Sequence, residues 1–213
     1  MNQLRFDEYF AKVVLEFCFP EKFANLQVLD KPDLQSGQDV GIEVTNCMPK
    51  EVAEAFNLWH RVAKQGDQTP PRILERLQQL DMVQLENGKL IWNQGTYTEN
   101  IENSPLRTFI DAVASKVEKL NSPNANYADL KSYELFVNSA LDIDTGDLKT
   151  ILAILEKLKE VNTKSKKFDM VYLIAINKTM FVFDLVNSSF IIKYLYNRLD
   201  VLARQARKRM RES

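Results

Sequence analysis

The sequence predicts an α/β fold, a mixed central β-sheet flanked by helices with an inserted segment at 67–103, and three observations carry that expectation. Val40, Ile42 and Val44 alternate with Gly41, Glu43 and Thr45, the period of two of a strand whose faces differ. Residues 170–176, Met-Val-Tyr-Leu-Ile-Ala-Ile, are a near-continuous apolar run of strand length, as a strand covered on both faces requires. Around these runs, 4–17, 104–120 and 148–161 repeat apolar residues at helical spacing.

In order, Phe6, Phe10, Val13, Val14 and Phe17 give an amphipathic first helix that stops before Pro20. Residues 26–29 form a candidate first strand. The stretch 31–45 then reads as a hairpin: Pro32 opens its first arm, where proline is tolerated, and Ser36-Gly37 supplies the turn. Pro49 sits near the first turn of a second helix, 49–65, which Gly66 ends. That helix carries Trp59 and His60, and a lone histidine with no partner in view reads as structural or exposed. After the break at 68–71 come a short helix through Ile73, Leu74 and Leu77, then strands 82–85 and 89–92 joined by the hairpin signal Asn87-Gly88. Trp92 and Tyr97 have rings that stack on bases in some proteins, though packing is the commoner use of hairpin aromatics.

Ser104-Pro105 starts a helix, serine as cap and proline in the first turn, that runs to Leu120 and is expected to bury Leu106, Phe109, Ile110, Val113, Val117 and Leu120. A strand follows at 133–137. Residues 142–147 carry three aspartates but lack the spacing and terminal glutamate of a calcium loop, so they read as a cap for the helix 148–161. Residues 162–167 are a basic polar connection. Beyond the buried strand, 181–185 and 190–192 extend the sheet or begin the last helix, which passes through Leu199 and Leu202.

Length and composition fit one domain, 1–213: 45% hydrophobic residues are ample for a core. Twenty-eight Lys and Arg against 29 Asp and Glu give a net charge of -1, which excludes an overall basic field. Cys18 and Cys47 have neither CxxC spacing nor a histidine cluster, so they read as reduced, buried thiols. The N-terminus lacks the build of a secretory signal and the longest apolar run is far short of a membrane span, so a cytoplasmic protein with no membrane partner is expected.

The chemistry concentrates in the hairpin. Two carboxylates on a strand pair repel unless a divalent cation or a basic group lies between them. Asp33 and Glu43 suit Mg²⁺, which takes one or two carboxylates and keeps its waters. A three-residue loop, 36–38, would pair Asp33 near Gly41 on the Glu43 side, and a two-residue loop would put it on the other side.

Pro32-Asp33, a short turn and Gly41-Ile42-Glu43-Val44-Thr45 resemble the core hairpin of the PD-(D/E)xK nuclease-like superfamily, in particular members with a Glu-Val-Thr strand. The likeness covers about 5–46 and 104–140. It implies a restriction-endonuclease-like core and a metal-dependent nuclease acting on DNA or RNA, with Asp33 and Glu43 as ligands of Mg²⁺ or Mn²⁺. The family pattern has lysine where this chain has Thr45. In some members that lysine has moved to a neighbouring helix, which makes Lys116 the candidate here and Lys50 and Lys64 further ones; the alternative for Lys116 is snorkelling at the edge of a buried face. An acidic residue on the preceding helix, Glu16 or else Glu8, would be a third carboxylate, unless it is a solvated helix-face residue. The tail cations Arg204, Arg207, Lys208 and Arg209, with Arg211, either grip phosphates or simply end a solvated helix. Thr45 also leaves open a second function: a non-cleaving nuclease-fold protein serving as a nucleic-acid-binding or protein-interaction module.

Overall fold

The computed structural model describes residues 3–80, 83–86, 89–92, 105–124, 126–127 and 129–212. Tyr97 and the Asn87-Gly88 turn lie outside the described residues, as do the side chains of His60, Lys64 and Trp92. The chain divides into two compact units, one of Met1–Cys47 with Phe109–Ser213 and one of Met48–Thr108.

The first unit is α/β. Among the described residues its sheet has seven strands in the order β1-β2-β3-β6-β7-β8-β9: Gln27–Val28, Leu34–Ser36, Val40–Asn46, Ser132–Asn138, Phe168–Ile174, Thr179–Asp184 and Ser189–Tyr194. Strands β3, β6 and β7 run parallel, and the others pair antiparallel, so the sheet is mixed. The 190–192 segment, open between strand and helix in the sequence, pairs with β8 as β9.

Register assigns the two faces. Ile42, Glu134 and Met170 share one level, and Val44, Phe136, Tyr172 and Val182 the next, all on one face. That face packs against α1 (Gln3–Cys18) and α7 (Leu199–Glu212) through Phe10, Val13, Val14, Leu202 and Ala206. Alternate residues, Glu43, Leu135, Val171 and Phe183, turn to the second face and are buried as well. Helix α5 (Pro105–Leu120) belongs to that side, since its Lys116 reaches Glu43. Helix α6 (Leu148–Val161) buries Ile151, Ile154, Leu155 and Leu158, and Asp147 caps it by accepting the Thr150 N–H at 3.1 Å. A four-residue helix absent from the sequence reading, α2 (Pro20–Phe23), starts at the proline expected only to end α1.

The second unit holds α3 (Lys50–Gln65), α4 (Pro71–Gln79) and the antiparallel pair β4 (Val83–Glu86) and β5 (Lys89–Trp92). Arg76 donates to both oxygens of Glu54, at 2.7 and 2.8 Å, tying α4 to α3. The expected insertion at 67–103 lies within this unit, whose boundary comes earlier, at Met48.

Cys18 and Cys47 are free thiols, half-buried rather than buried, and burial pushes Cys18 up to about 11. Among the described residues no helix is long and apolar enough to cross a membrane.

Candidate functional site

The β2–β3 hairpin has the three-residue rather than the two-residue loop, one position later than 36–38. Leu34 pairs with Ile42, Gln35 with Gly41 and Ser36 with Val40, so the loop is 37–39. Gly37 takes the left-handed conformation at its first position, φ 59°, which glycine adopts without strain. Continuing the pairing by one residue sets Asp33 opposite Glu43 rather than Gly41, and the two still share a face. Gly41, one pair further along that face, meets a close approach: a Cβ there would lie 2.5 Å from Leu130 Cδ1 and 2.7 Å from Pro32 Cγ. Only a residue without a side chain leaves Pro32, and hence Asp33, in place.

Glu43 is 1% exposed, and its Oε2 accepts Lys116 Nζ at 2.7 Å and Lys119 Nζ at 3.3 Å. Lys116 Nζ also lies 3.7 Å from Asp33 Oδ2, so one ammonium spans both carboxylates. Asp33 Oδ2 is oriented by the Val44 N–H at 2.7 Å. Burial, then the Glu43 charge, pushes the Asp33 carboxyl above its ordinary value, while Lys116 and the Val44 N–H act in the opposite sense. Lys116 and Lys119 stand one turn apart on α5, a spacing that puts both amines on one carboxylate. Thr45 is half-buried on the Glu43 face, and the amines that meet Glu43 come from α5.

Two polar atoms of this site are buried without a hydrogen-bond partner, Glu43 Oε1 and the Tyr127 hydroxyl. Burial and the neighbouring Glu43 carboxylate hold the Tyr127 phenol above its usual range. Lys119 Nζ lies 5.9 Å from the centre of the Tyr127 ring. Both ammonium groups sit on Glu43 Oε2, and the buried Oε1 that they leave beside Tyr127 is an oxygen of the kind a hard cation coordinates. The protein would contribute two carboxylates, for no cluster of three or more metal-ligating side chains occurs among the described residues.

Comparison with protein-family models, curated proteins and solved structures finds no match.

The other candidates separate clearly. Glu16 accepts Lys12 Nζ at 2.7 Å and pairs with Arg209, so it ties α1 to α7 and does not join Asp33 and Glu43. Glu8 lies about 12 Å nearer the start of α1 by helix geometry. Its carboxyl is raised by burial first and then by the charge of Asp33. Lys50 belongs to the second unit. On α7, Arg209 is held by Glu16, Arg207 stacks 5.3 Å from the Phe6 ring centre, Arg204 Nε donates to the Asp200 carbonyl at 3.3 Å, and Lys208 lies 3.8 Å from Glu212. This helix covers the sheet face opposite Glu43.

Three participants escaped the sequence. Lys119 is half exposed, yet its long stem carries the amine back to Glu43. Tyr127 had no signal beyond its place before a strand. On the α1 side, Lys22 Nζ contacts Glu134 Oε1 at 2.6 Å and the Tyr172 hydroxyl at 3.0 Å, and Tyr172 donates to Glu134 Oε2 at 2.9 Å. That trio neutralises a buried glutamate one pair away from Glu43, through the sheet.

Proposed function

We propose that this protein is a metal-dependent phosphodiester hydrolase of the PD-(D/E)xK nuclease-like type, acting on DNA or RNA. The observation that carries the reading is the convergence of Asp33, Glu43 and the Lys116 amine, from three separate elements, within 3.7 Å of one nitrogen. The order of elements supports it: the resemblance implies a helix followed by three strands and, later in the chain, a helix plus strand, and α1 with β1 to β3, then α5 with β6 after the second unit, follow that order.

Asp33 and Glu43 would hold Mg²⁺ or Mn²⁺, which when bound supplies an activated water and neutralises charge on the phosphate. The chain's own groups do the rest. The Val44 N–H fixes the carboxylate of Asp33, and the burial of Glu43 strengthens the charge interactions around it. Lys116 brings its ammonium from α5 to donate to a phosphate oxygen as negative charge builds, the role of the strand lysine that Thr45 replaces.

The test is cleavage of mixed single- and double-stranded DNA and RNA with Mg²⁺ or Mn²⁺, parent against Asp33→Ala from the same preparation. The parent cuts and the variant loses on the order of 100-fold or more. A folded parent that cuts no substrate moves the assignment to the non-cleaving binding module, a reading favoured by the two ammonium groups that neutralise Glu43 unaided.

A further inference from the structure

The basic connection at 162–167 is fastened to the lysine-bearing end of α5. Asn121, just past α5, donates to the Val117 carbonyl at 2.8 Å and to the Lys166 carbonyl at 2.7 Å. Its Oδ1 accepts the Lys166 N–H at 3.0 Å and the Ser165 hydroxyl at 2.9 Å. At its start the loop is pinned by buried Asn162, whose side chain exchanges hydrogen bonds with both backbone groups of Phe168, at 2.7 and 2.9 Å. A polar loop gripped at both ends presents its side chains from a fixed backbone.

Those side chains are cationic. Lys164 and Lys167 are exposed, and Lys166 reaches 5.6 Å from the ring centre of Tyr133, which packs edge-on against Tyr127 beside Glu43. Glu118 partly offsets Lys164 at 3.2 Å, and Lys167 has no partner among the described residues. Lys116 and Lys119 at Glu43, the Tyr127 and Tyr133 rings and Lys166 thus form a run of contacts leading outward from the carboxylate pair, with exposed Lys167 next in the loop, whereas the α7 cations lie on the opposite sheet face.

Resting on the proposed function, we propose that this clamped loop is the backbone-binding surface of the nuclease: Lys166 and Lys167, with Lys119, hold the phosphates of a nucleic-acid strand next to the Asp33–Glu43 site. The ligand is the phosphodiester backbone, since lysine ammonium groups contact phosphate as point charges without reading bases.

The experiment is fluorescence anisotropy of labelled mixed-sequence DNA and RNA oligonucleotides, titrated in EDTA across a salt series so that binding is read without cleavage. Lys166→Gln/Lys167→Gln is expected to weaken binding more than threefold and to lower the slope of log affinity against log salt by about 1.4 for a single strand. Lys149→Gln/Arg198→Gln, with the same charge change away from the loop, stays within threefold of the parent. Lys167→Gln alone lowers the slope by about 0.7 and keeps the question open to measurement if the double variant melts early. Loop variants within threefold of the parent at every salt, or a parent that binds no oligonucleotide, overturn the inference. Cleavage that needs Asp33 but binding that ignores the loop sinks this inference and leaves the hydrolase standing. Loop-dependent binding with no cleavage does the reverse.

Discussion

Replacing Lys116 with methionine removes the nearest counter-charge of a carboxylate that is 1% exposed. At 2.7 Å and an effective dielectric of about 20 the bare attraction is about 6 kcal/mol. Much of this offsets the desolvation of both ions, and losing one partner of such a pair costs about 3–5 kcal/mol. Lys119 stays on the same oxygen at 3.3 Å, so the expected loss lies at the lower end, about 3 kcal/mol. Lys119→Met, at a half-exposed side chain, costs about 0.5–1 kcal/mol. Combining Lys116→Met with Glu43→Gln removes both charges and recovers about 2 kcal/mol, read as the coupling in a four-protein cycle. Urea unfolding followed by far-UV circular dichroism is the assay, because Trp59 and Trp92 both belong to the other unit and report on it instead. A coupling below about 0.5 kcal/mol would refute the claim that the Lys116–Glu43 pair is a desolvated, mutually dependent unit.

Asp33→Asn separates stability from chemistry. Burial and the Glu43 charge raise the native carboxyl above its ordinary 3.8, so the native state loses stability as pH rises from that value through the raised one, and the penalty is constant above. The variant should therefore melt higher than the parent at pH 7, lose that advantage below about pH 3.8, and not cleave. Gly41→Ala forces a Cβ against Leu130 and Pro32 and costs about 1–3 kcal/mol, part of which Leu130→Ala restores, as thermal melts would show. Asn162→Ala orphans the buried N–H and carbonyl of Phe168 and costs about 3 kcal/mol in urea unfolding. Glu16→Ala breaks a partly exposed link between α1 and α7, lowering stability by about 1 kcal/mol in low salt and less in high salt.

The sheet was legible where side-chain periodicity is strongest. The alternation at 40–45 and the apolar run that became β7 both name strands, because one face or two faces must leave water. Helix ends were legible where proline, glycine or a capping aspartate marks them, as at Pro105, Gly66 and Asp147. Parity alone left the shared face of Asp33 and Glu43 open, since a two-residue loop would have set them on opposite sides; the three-residue loop that begins at Gly37 decides both their face and their level. Lys116 was visible as a lysine beside a buried stripe. Lys119 was not, because helical phase locates a Cβ and says little about the tip of a four-carbon stem. The choice between Glu8 and Glu16 turned on how α1 crosses the sheet, and that is decided by packing among residues far apart in sequence.

The acids at 33 and 43 and the lysines at 116 and 119 come from opposite sides of the whole 48–108 unit in the chain. A cut within that unit would yield two pieces, one holding α1 and β1 to β3 with both carboxylates, the other holding α5 to α7 and β6 to β9 with both amines. Neither piece has a working set. The parallel seam from Val40↔Ser132 to Asn46↔Asn138, sealed by the Lys116–Glu43 contact, is where the halves would rejoin. The chain thus divides like a split reporter, in which co-expressed fragments would bring Asp33, Glu43 and Lys116 back together only as they rebuild the sheet.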